Sequence, residues 1–220
     1  RSCGNGNVNC VYFILCAGYS HNYIDVPAQE NSGLEEHLEL EGNTQSLTKV
    51  KISDHEASLI LTAFPGRTSS NTFSMRDMLG VLNALKKESC SYFLSLVEAT
   101  EFSNYCDHEV LVSESNKRSI NFVRLPIVDL GIPKNDTLDR LNKLRPSLHE
   151  AIKSGSSVAI HCMGGLGRSG TVAAIIIRDL GIPAQSAIDI VRQSRPGAIE
   201  TKEQELFVSS IASNHLNGSE

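Results

Sequence analysis

The chain is 220 residues long, 40% hydrophobic, with a formal net charge of −5, enough to bury one full core in a single domain with an N-terminal extension. Both signs of charge are spread along it, which excludes a basic nucleic-acid tract and a basic membrane-surface helix. Its longest apolar run, Val11 to Ala17, is too short to span a bilayer.

Residues 1 to 46 are rich in Gly, Asn and Ser and read as an extension of undefined structure. The chain opens on Arg1 rather than Met, as expected of a processed or trimmed chain. With no basic residue but Arg1 ahead of it, Val11 to Ala17 reads as a strand rather than the core of a signal peptide. The acidic patch Leu34 to Glu41 reads as a solvated face of a short helix or strand, with docking of a basic partner as the alternative. The domain proper is expected over residues 47 to 215. Val50-Lys51-Ile52 and Ser58 to Phe64 are β-branched and apolar, the second closed by Pro65-Gly66, and predict strands. Met75, Met78, Leu79, Leu82 and Leu85 recur at a helical period and predict a helix over Met75 to Lys87. A strand is expected over Tyr92 to Val97, a short helix over Ala99 to Cys106 and a strand over Ile120 to Leu125. Then come a helix over Leu138 to Lys153 that stops at Gly155, a buried strand over Ser157 to Ile160, a helix over Thr171 to Leu180 that stops at Gly181, and another over Gln185 to Gln193. Strands alternating with helices predict an α/β fold, a central, mostly parallel sheet flanked by helices on both faces. Such sheets bind ligands at the C-terminal ends of their strands.

The strand at Ser157 to Ile160 leads into His161-Cys162-Met163-Gly164-Gly165-Leu166-Gly167-Arg168-Ser169-Gly170, and a helix follows. Successive N–H groups of such a loop, with a helix N-terminus behind them, hold an anion, so the loop is expected to bind phosphate. A Walker A loop is excluded because Cys162 stands where its first glycine belongs and Arg168 where its lysine belongs. Gly165-x-Gly167-x-x-Gly170 has the dinucleotide spacing, but a second helical pattern follows where a Rossmann unit needs a strand ending in an acid. The remaining possibility uses the Cys and the Arg together. N–H donors, a helix N-terminus and a guanidinium stabilise a thiolate, which makes Cys162 a nucleophile at neutral pH. Arg168, six residues on, offers a planar fork suited to the equatorial oxygens of a transferring phosphoryl group. The alternative for Cys162 is a buried structural thiol in a glycine turn. His161 either orients the loop and helps hold the thiolate or only satisfies its own hydrogen bonds at the strand end. Ser169 either donates to the sulfur or caps the helix.

Cleaving a phosphate ester also needs a carboxylic acid on a mobile loop to protonate the leaving oxygen. Asp129, in Leu125-Pro126-Ile127-Val128-Asp129-Leu130-Gly131-Ile132-Pro133, follows a predicted strand and precedes Cys162 by thirty-three residues. Its alternative role is a turn-former or helix cap. Asp136 is the second candidate, although Asn135-Asp136-Thr137 reads as the cap of the next helix.

The run from Cys162 to Gly170 resembles the CxxGxxRSG signature loop of cysteine-dependent protein phosphatases. The segment around Asp129 resembles the acid loop of their dual-specificity branch. Leu61-Thr62-Ala63-Phe64-Pro65-Gly66, together with both loops, is similar to the group that acts on cyclin-dependent kinases. The resemblance covers roughly Ser58 to Val208. It implies that Met163, Gly164, Gly165, Leu166, Gly167 and Arg168 bind phosphate, that Cys162, Arg168, Asp129 and Ser169 are catalytic, and that His161 supports them. Arg195 to Gln204 resembles the family segment whose glutamine helps place the hydrolytic water, which points to Gln204; a helix-face glutamine without a role is the alternative. Arg192 and Arg195 flank the cleft or solvate a helix end. The chain has no Trp, unlike the Trp-Pro-Asp acid loop of classical tyrosine phosphatases, and no lysine inside the loop, unlike phosphoinositide phosphatases.

The expected function is therefore hydrolysis of phosphoserine, phosphothreonine or phosphotyrosine through a phosphocysteine. The alternatives are a lipid or nucleotide phosphatase and a phosphoprotein-binding module without turnover. No cofactor or metal is expected: the six cysteines, Cys3, Cys10, Cys16, Cys90, Cys106 and Cys162, show no metal-ligand spacing. They are sparse for a disulfide framework, and a reducing cytoplasmic compartment fits them. Cys90 or Cys106 either pairs with Cys162 on oxidation or simply packs, packing being favoured. The expected partner is a phosphorylated protein, a protein kinase among the candidates, with no nucleic acid or membrane and a monomeric state.

Overall fold

Successive side chains of a strand face opposite sides of a sheet, and the three central strands are apolar on both, so each of these must be covered twice. The computed structural model describes residues 47–52 and 57–212; the apolar run at 11–17, the acidic patch at 34–41 and Cys3, Cys10 and Cys16 lie outside the described residues. Among the described residues the strands are β1 (Thr48–Lys51), β2 (Ser58–Thr62), β3 (Cys90–Ser95), β4 (Asn121–Arg124) and β5 (Ser157–His161). The helices are α1 (Met75–Lys87), α2 (Ala99–Ser103), α3 (His108–Asn116), α4 (Asn135–Lys153), α5 (Gly167–Asp179), α6 (Ala184–Ser194) and α7 (Lys202–Ser210).

The sheet order is β1-β2-β5-β3-β4, parallel except for β1, which pairs antiparallel with β2. Leu59, Leu61, Leu94, Val158 and Ile160 point into a core shared with α4, α5, α6 and α7. Their neighbours Ile60, Phe93 and Ala159 point the other way, into a core shared with α1, Phe102 of α2 and Leu111 of α3. The expected α/β sheet with helices on both faces is thus the observed one, and β5, buried at every residue, is its central strand. Arg145 of α4 forks onto Asp179 of α5 at 2.7 and 2.5 Å, an ion pair buried between the two helices. Among the described residues no helix is long and apolar enough to cross a membrane.

Several boundaries differ from the expectation. Helix α3 was not foreseen: Leu111 and Ser115 are its buried residues, too narrow a stripe to show a period. Helix α4 begins at Asn135 rather than Leu138, with Lys134 at the N-cap, so Asn135-Asp136-Thr137 is its first turn and not its cap. Helix α5 begins at Gly167, a turn before Thr171, and Leu166 holds the N-cap position, so Ser169 is not the cap. Glycine's poor helix propensity hides that turn in the sequence.

Cys90 does not face the signature loop. It stands opposite Ser157 at the N-terminal end of the parallel β3–β5 pair, while Cys162 follows the other end of β5, five residues and about 16 Å further along. That separation is beyond the roughly 7 Å limit between bridged Cα atoms. Burial pushes the Cys90 thiol up to about 12, partly offset by backbone hydrogen bonds, and it packs as a small apolar group. Cys106 packs against the α1–α3 core.

Candidate active site

Strand β5 delivers Cys162 to the C-terminal edge of the sheet, and residues 163–166 must turn between it and α5. In a planar trans peptide a carbonyl and the following N–H point in opposite directions, so a donor that pins a carbonyl outward aims the next N–H inward. Around this loop the carbonyls of Cys162, Met163, Gly164 and Leu166 are pinned from outside. Cys162 O accepts from His161 Nδ1 at 3.2 Å, which fixes that tautomer. Met163 O accepts from the Phe64 N–H at 3.1 Å and from Arg67 Nη1 at 3.3 Å. Gly164 O accepts from Arg195 Nη2 at 3.2 Å, and Leu166 O from the N–H groups of Gly170 and Ile199 at 3.0 and 3.3 Å. The result is a concave run of donors, the arrangement that binds an oxyanion. The Gly165 N–H reaches Cys162 Sγ at 3.2 Å, and Ser169 Oγ, on the first turn of α5, lies 3.5 Å from the same sulfur. Gly165 has φ +71°, and a Cβ there would sit 2.5 Å from the Thr62 carbonyl carbon, so glycine is required.

Arg168 is 2% exposed and its guanidinium is fully engaged at both Nη atoms. Nη1 donates to Glu101 Oε2 at 2.7 Å and to Ile127 O at 3.0 Å; Nη2 donates to Glu101 Oε1 at 2.8 Å and pairs with Asp129 Oδ1 at 2.9 Å. Glu101 was missed in the sequence. It stands sixty-seven residues before its partner on α2, and its only signal is that α2 follows β3 at the same edge of the sheet. Burial pushes the Glu101 carboxyl up, but the hydrogen bonds from Arg168 and Glu98 N–H prevail and hold it below the usual carboxylate range. Burial likewise opposes the charge on Arg168, and Glu101 more than offsets it, raising the guanidinium above its ordinary value.

Asp129 sits in a turn closed by the Gly131 N–H donating to Val128 O at 2.9 Å, with Leu130 at φ +58°. The side chain of Asp129 is 69% exposed. Gln204, fully buried, donates from Nε2 to Gly131 O at 3.1 Å, and a Cβ on Gly167 would meet the same Nε2 at 3.0 Å. Gln204 therefore lies between the Cys162 loop and the turn that carries Asp129, its Oε1 accepting from the Thr201 N–H in the capping box of α7. Thr137 Oγ1 donates to Pro126 O and ties the same segment to α4. The structure brings Asp129 to Arg168; Asp136 is instead 3.9 Å from Arg140, with its side chain 85% exposed.

His161 is fully buried between the rings of Phe64 and Phe93. Burial lowers its pKa to about 4, against the opposing hydrogen bond to Cys162 O, and its Nε2 has no hydrogen-bond partner among the described residues. Its described hydrogen bond goes to the loop backbone, at Cys162 O. Of the two downstream arginines, Arg195 reaches the signature loop, while Arg192 binds the carbonyls of Ala198 and Ile199.

A sulfur that accepts from the Gly165 N–H beside the Ser169 hydroxyl, a buried guanidinium and an exposed carboxyl on that guanidinium form a constellation suited to in-line displacement at phosphorus. The family described as dual specificity phosphatase, catalytic domain, matches residues 81–208. Protein tyrosine phosphatase type IVA 2 of Mus musculus is 30% identical over 105 residues, which is 47% of this chain and 62% of that protein. Type IVA 3 of Homo sapiens is 32% identical over 106 residues, 48% of this chain and 60% of that protein; the match thus spans about three fifths of these curated relatives. Among solved structures, kinase associated phosphatase with a serine substituted for its catalytic-site cysteine superposes with a TM-score of 0.62 at 26% identity, over 76% of this chain and 94% of that one. Tk-PTP in its active form gives 0.54 at 28% identity, over 73% and 92%.

Proposed function

Because the chain belongs to the dual specificity phosphatase family, whose catalytic domain matches its residues 81–208, we propose that it hydrolyses phosphate monoesters of proteins through a phosphocysteine at Cys162. The observation that carries this reading is the meeting of three groups at one point. Arg168, on the first turn of the helix behind Cys162, holds the Asp129 carboxyl at 2.9 Å.

The Cys162 thiolate attacks phosphorus in line, forming the S–P bond as the ester P–O bond breaks. Asp129, protonated, gives its proton to the departing alkoxide or phenoxide. Loop N–H groups over Met163 to Gly167 and the Arg168 guanidinium take up the charge on the equatorial oxygens. A water then attacks phosphorus, Asp129 accepts its proton, and the S–P bond breaks to release phosphate and the thiolate, whose departure the Ser169 hydroxyl eases by donating to sulfur. Gln204 holds the acid turn against the loop through both steps, and His161 holds the Cys162 carbonyl. The catalytic domain occupies residues 47 to 215 in this reading, and a reducing compartment such as the cytoplasm keeps Cys162 a thiol.

The substrate is a phosphoserine, phosphothreonine or phosphotyrosine protein. The likeness to a kinase associated phosphatase makes protein kinases the first class to test. The experiment is hydrolysis of an aryl phosphate, a phosphopeptide panel, a phosphoinositide and a nucleotide by wild type and Cys162→Ser, with mass spectrometry of the acid-quenched Cys162 peptide. Wild type should turn over and carry phosphate on that peptide, and the serine variant should do neither. Near-normal turnover by Cys162→Ser would sink the reading, and preferred turnover of a phosphoinositide or nucleotide would overturn the protein substrate.

A further inference from the structure

One peptide of the signature loop touches the nucleophile directly. It joins Gly164 to Gly165, and its N–H donates to Cys162 Sγ at 3.2 Å. Glycines flank it on both sides, and a Cβ on Gly164 would meet nothing within 4 Å. Gly165 packs against Thr62, but with no Cβ on either flank the backbone torsions themselves do little to stop this peptide turning over and presenting its carbonyl, instead of its N–H, to the sulfur.

What opposes that flip comes from outside the loop. Gly164 O accepts from Arg195 Nη2 at 3.2 Å, and Arg195 Nη1 donates in turn to Thr48 Oγ1 at 2.7 Å. Arg195 is the C-cap residue of α6, and Thr48 is the first residue of β1, the antiparallel edge strand. Thr48 lies outside the residues that match the family. Both described side-chain bonds of Arg195 go to neutral acceptors and hold two oxygens at a fixed separation, while its Nε is buried without a hydrogen-bond partner among the described residues. Burial lowers its pKa, with the charge of Cys162 opposing the shift.

We propose that Arg195, anchored by Thr48, is a positioning residue that locks the Gly164–Gly165 peptide with its N–H toward the Cys162 sulfur and the phosphoryl oxygens that meet it. The proposal rests on the phosphatase reading and gives the edge strand a part in the chemistry. Lysine would not replace Arg195, because one ammonium does not span both acceptors with fixed geometry.

The test uses the full chain with p-nitrophenyl phosphate as substrate and orthovanadate as oxyanion probe, on wild type, Arg195→Ala, Arg195→Lys and Thr48→Val. A donor aimed at developing charge is worth about 10²–10³-fold in kcat when removed outright, so one that loses only its aim should cost about tenfold. Arg195→Ala should lower kcat and raise the vanadate Ki by that factor, with Arg195→Lys in between. Thr48→Val, which leaves the loop and Arg195 in place, should shift both in the same direction by about threefold, since the anchor acts at one remove. Unchanged kcat and Ki in Arg195→Ala, with losses only on peptides carrying a second anionic group, would overturn the lock and make Arg195 a reader of the substrate. If Arg195→Ala does not fold, an unaltered kcat and Ki in folded Thr48→Val overturns it. Protection of Cys162 from iodoacetamide by vanadate reads the lock without turnover. A wild type that binds vanadate but hydrolyses nothing would therefore refute the phosphatase reading alone.

Discussion

Glu101→Gln removes the charge opposite Arg168 while keeping the side-chain length and one acceptor oxygen. In the native site the guanidinium is 2% exposed, the carboxylate 19%, and the two bonds between them are 2.7 and 2.8 Å long. Glutamine can accept from one Nη but sets its own amide donors against the other. One charge-assisted hydrogen bond is worth about 1.5–3 kcal/mol, and removing one partner of a fully buried pair costs about 3–5 kcal/mol. The partial exposure of Glu101 and the surviving Ile127 and Asp129 contacts place the loss at about 2–3 kcal/mol. At about 2–4 °C per kcal/mol for a chain of this size, the melting temperature should fall by about 4–12 °C. If the same loss appears as misorientation of the fork toward the phosphoryl oxygens, kcat/KM should fall about 30- to 150-fold. The acid limb should change too. A carboxyl held below its unfolded value contributes stability that is complete above that value and is lost as pH falls through the folded one, so the variant should show a flatter loss of stability below about pH 4.5. The assays are p-nitrophenyl phosphate hydrolysis and thermal melts from pH 7 downward. A variant with kcat/KM within about threefold of wild type and a melt within about one degree would refute the reasoning, since both lie well outside the loss derived for a charge-assisted bond.

Asp129→Asn should lower kcat about 10²–10⁴-fold, the usual worth of a general acid. It should also tighten vanadate inhibition, because a carboxylate no longer competes for Arg168 Nη2; weaker inhibition would show that the 2.9 Å contact does not oppose anion binding. His161 titrates near 4 in the folded chain against an ordinary 6.5, so the unfolded chain binds the extra proton between those values and stability falls as pH drops through that window. Between pH 7 and 5 this amounts to about 2 kcal/mol, read by urea unfolding, and His161→Asn should lose that component; an equal drop in the variant would assign it to other groups.

The strand-loop-helix around Cys162 was legible because its chemistry is local. Nucleophile, glycines and Arg168 fall within seven consecutive residues, and the hydrophobic run before them reads as a strand in any context. Asp129 was legible through the Pro and Gly around it. Glu101 was not, because its meaning depends on β3 and β5 lying side by side and ending at the same edge. The reach of Arg195 to Gly164 was hidden for the same reason, and its anchor at Thr48 requires an antiparallel edge strand that sequence spacing does not announce. The N-terminus of α5 was misplaced by a turn because Gly167 and Gly170 disguise a helix whose first residues are chosen for close approach: a Cβ on Gly170 would sit 3.0 Å from Ala198 Cβ. The N-terminus of α4 was misplaced because Asn135 and Asp136 have cap-like chemistry, yet the element already begins at Asn135, at φ +49°, after extended Lys134.

The nucleophile grows from the central strand, laddered on both sides by β2 and β3, whereas Asp129 rides on a turn whose flanking Val128 and Leu130 are 65% and 52% exposed. In amide exchange these should fall at opposite extremes, the strand before Cys162 opening only with the whole domain and the turn exchanging through small local excursions. The turn carrying Asp129 should therefore rearrange without disassembling the sulfur and the loop around it.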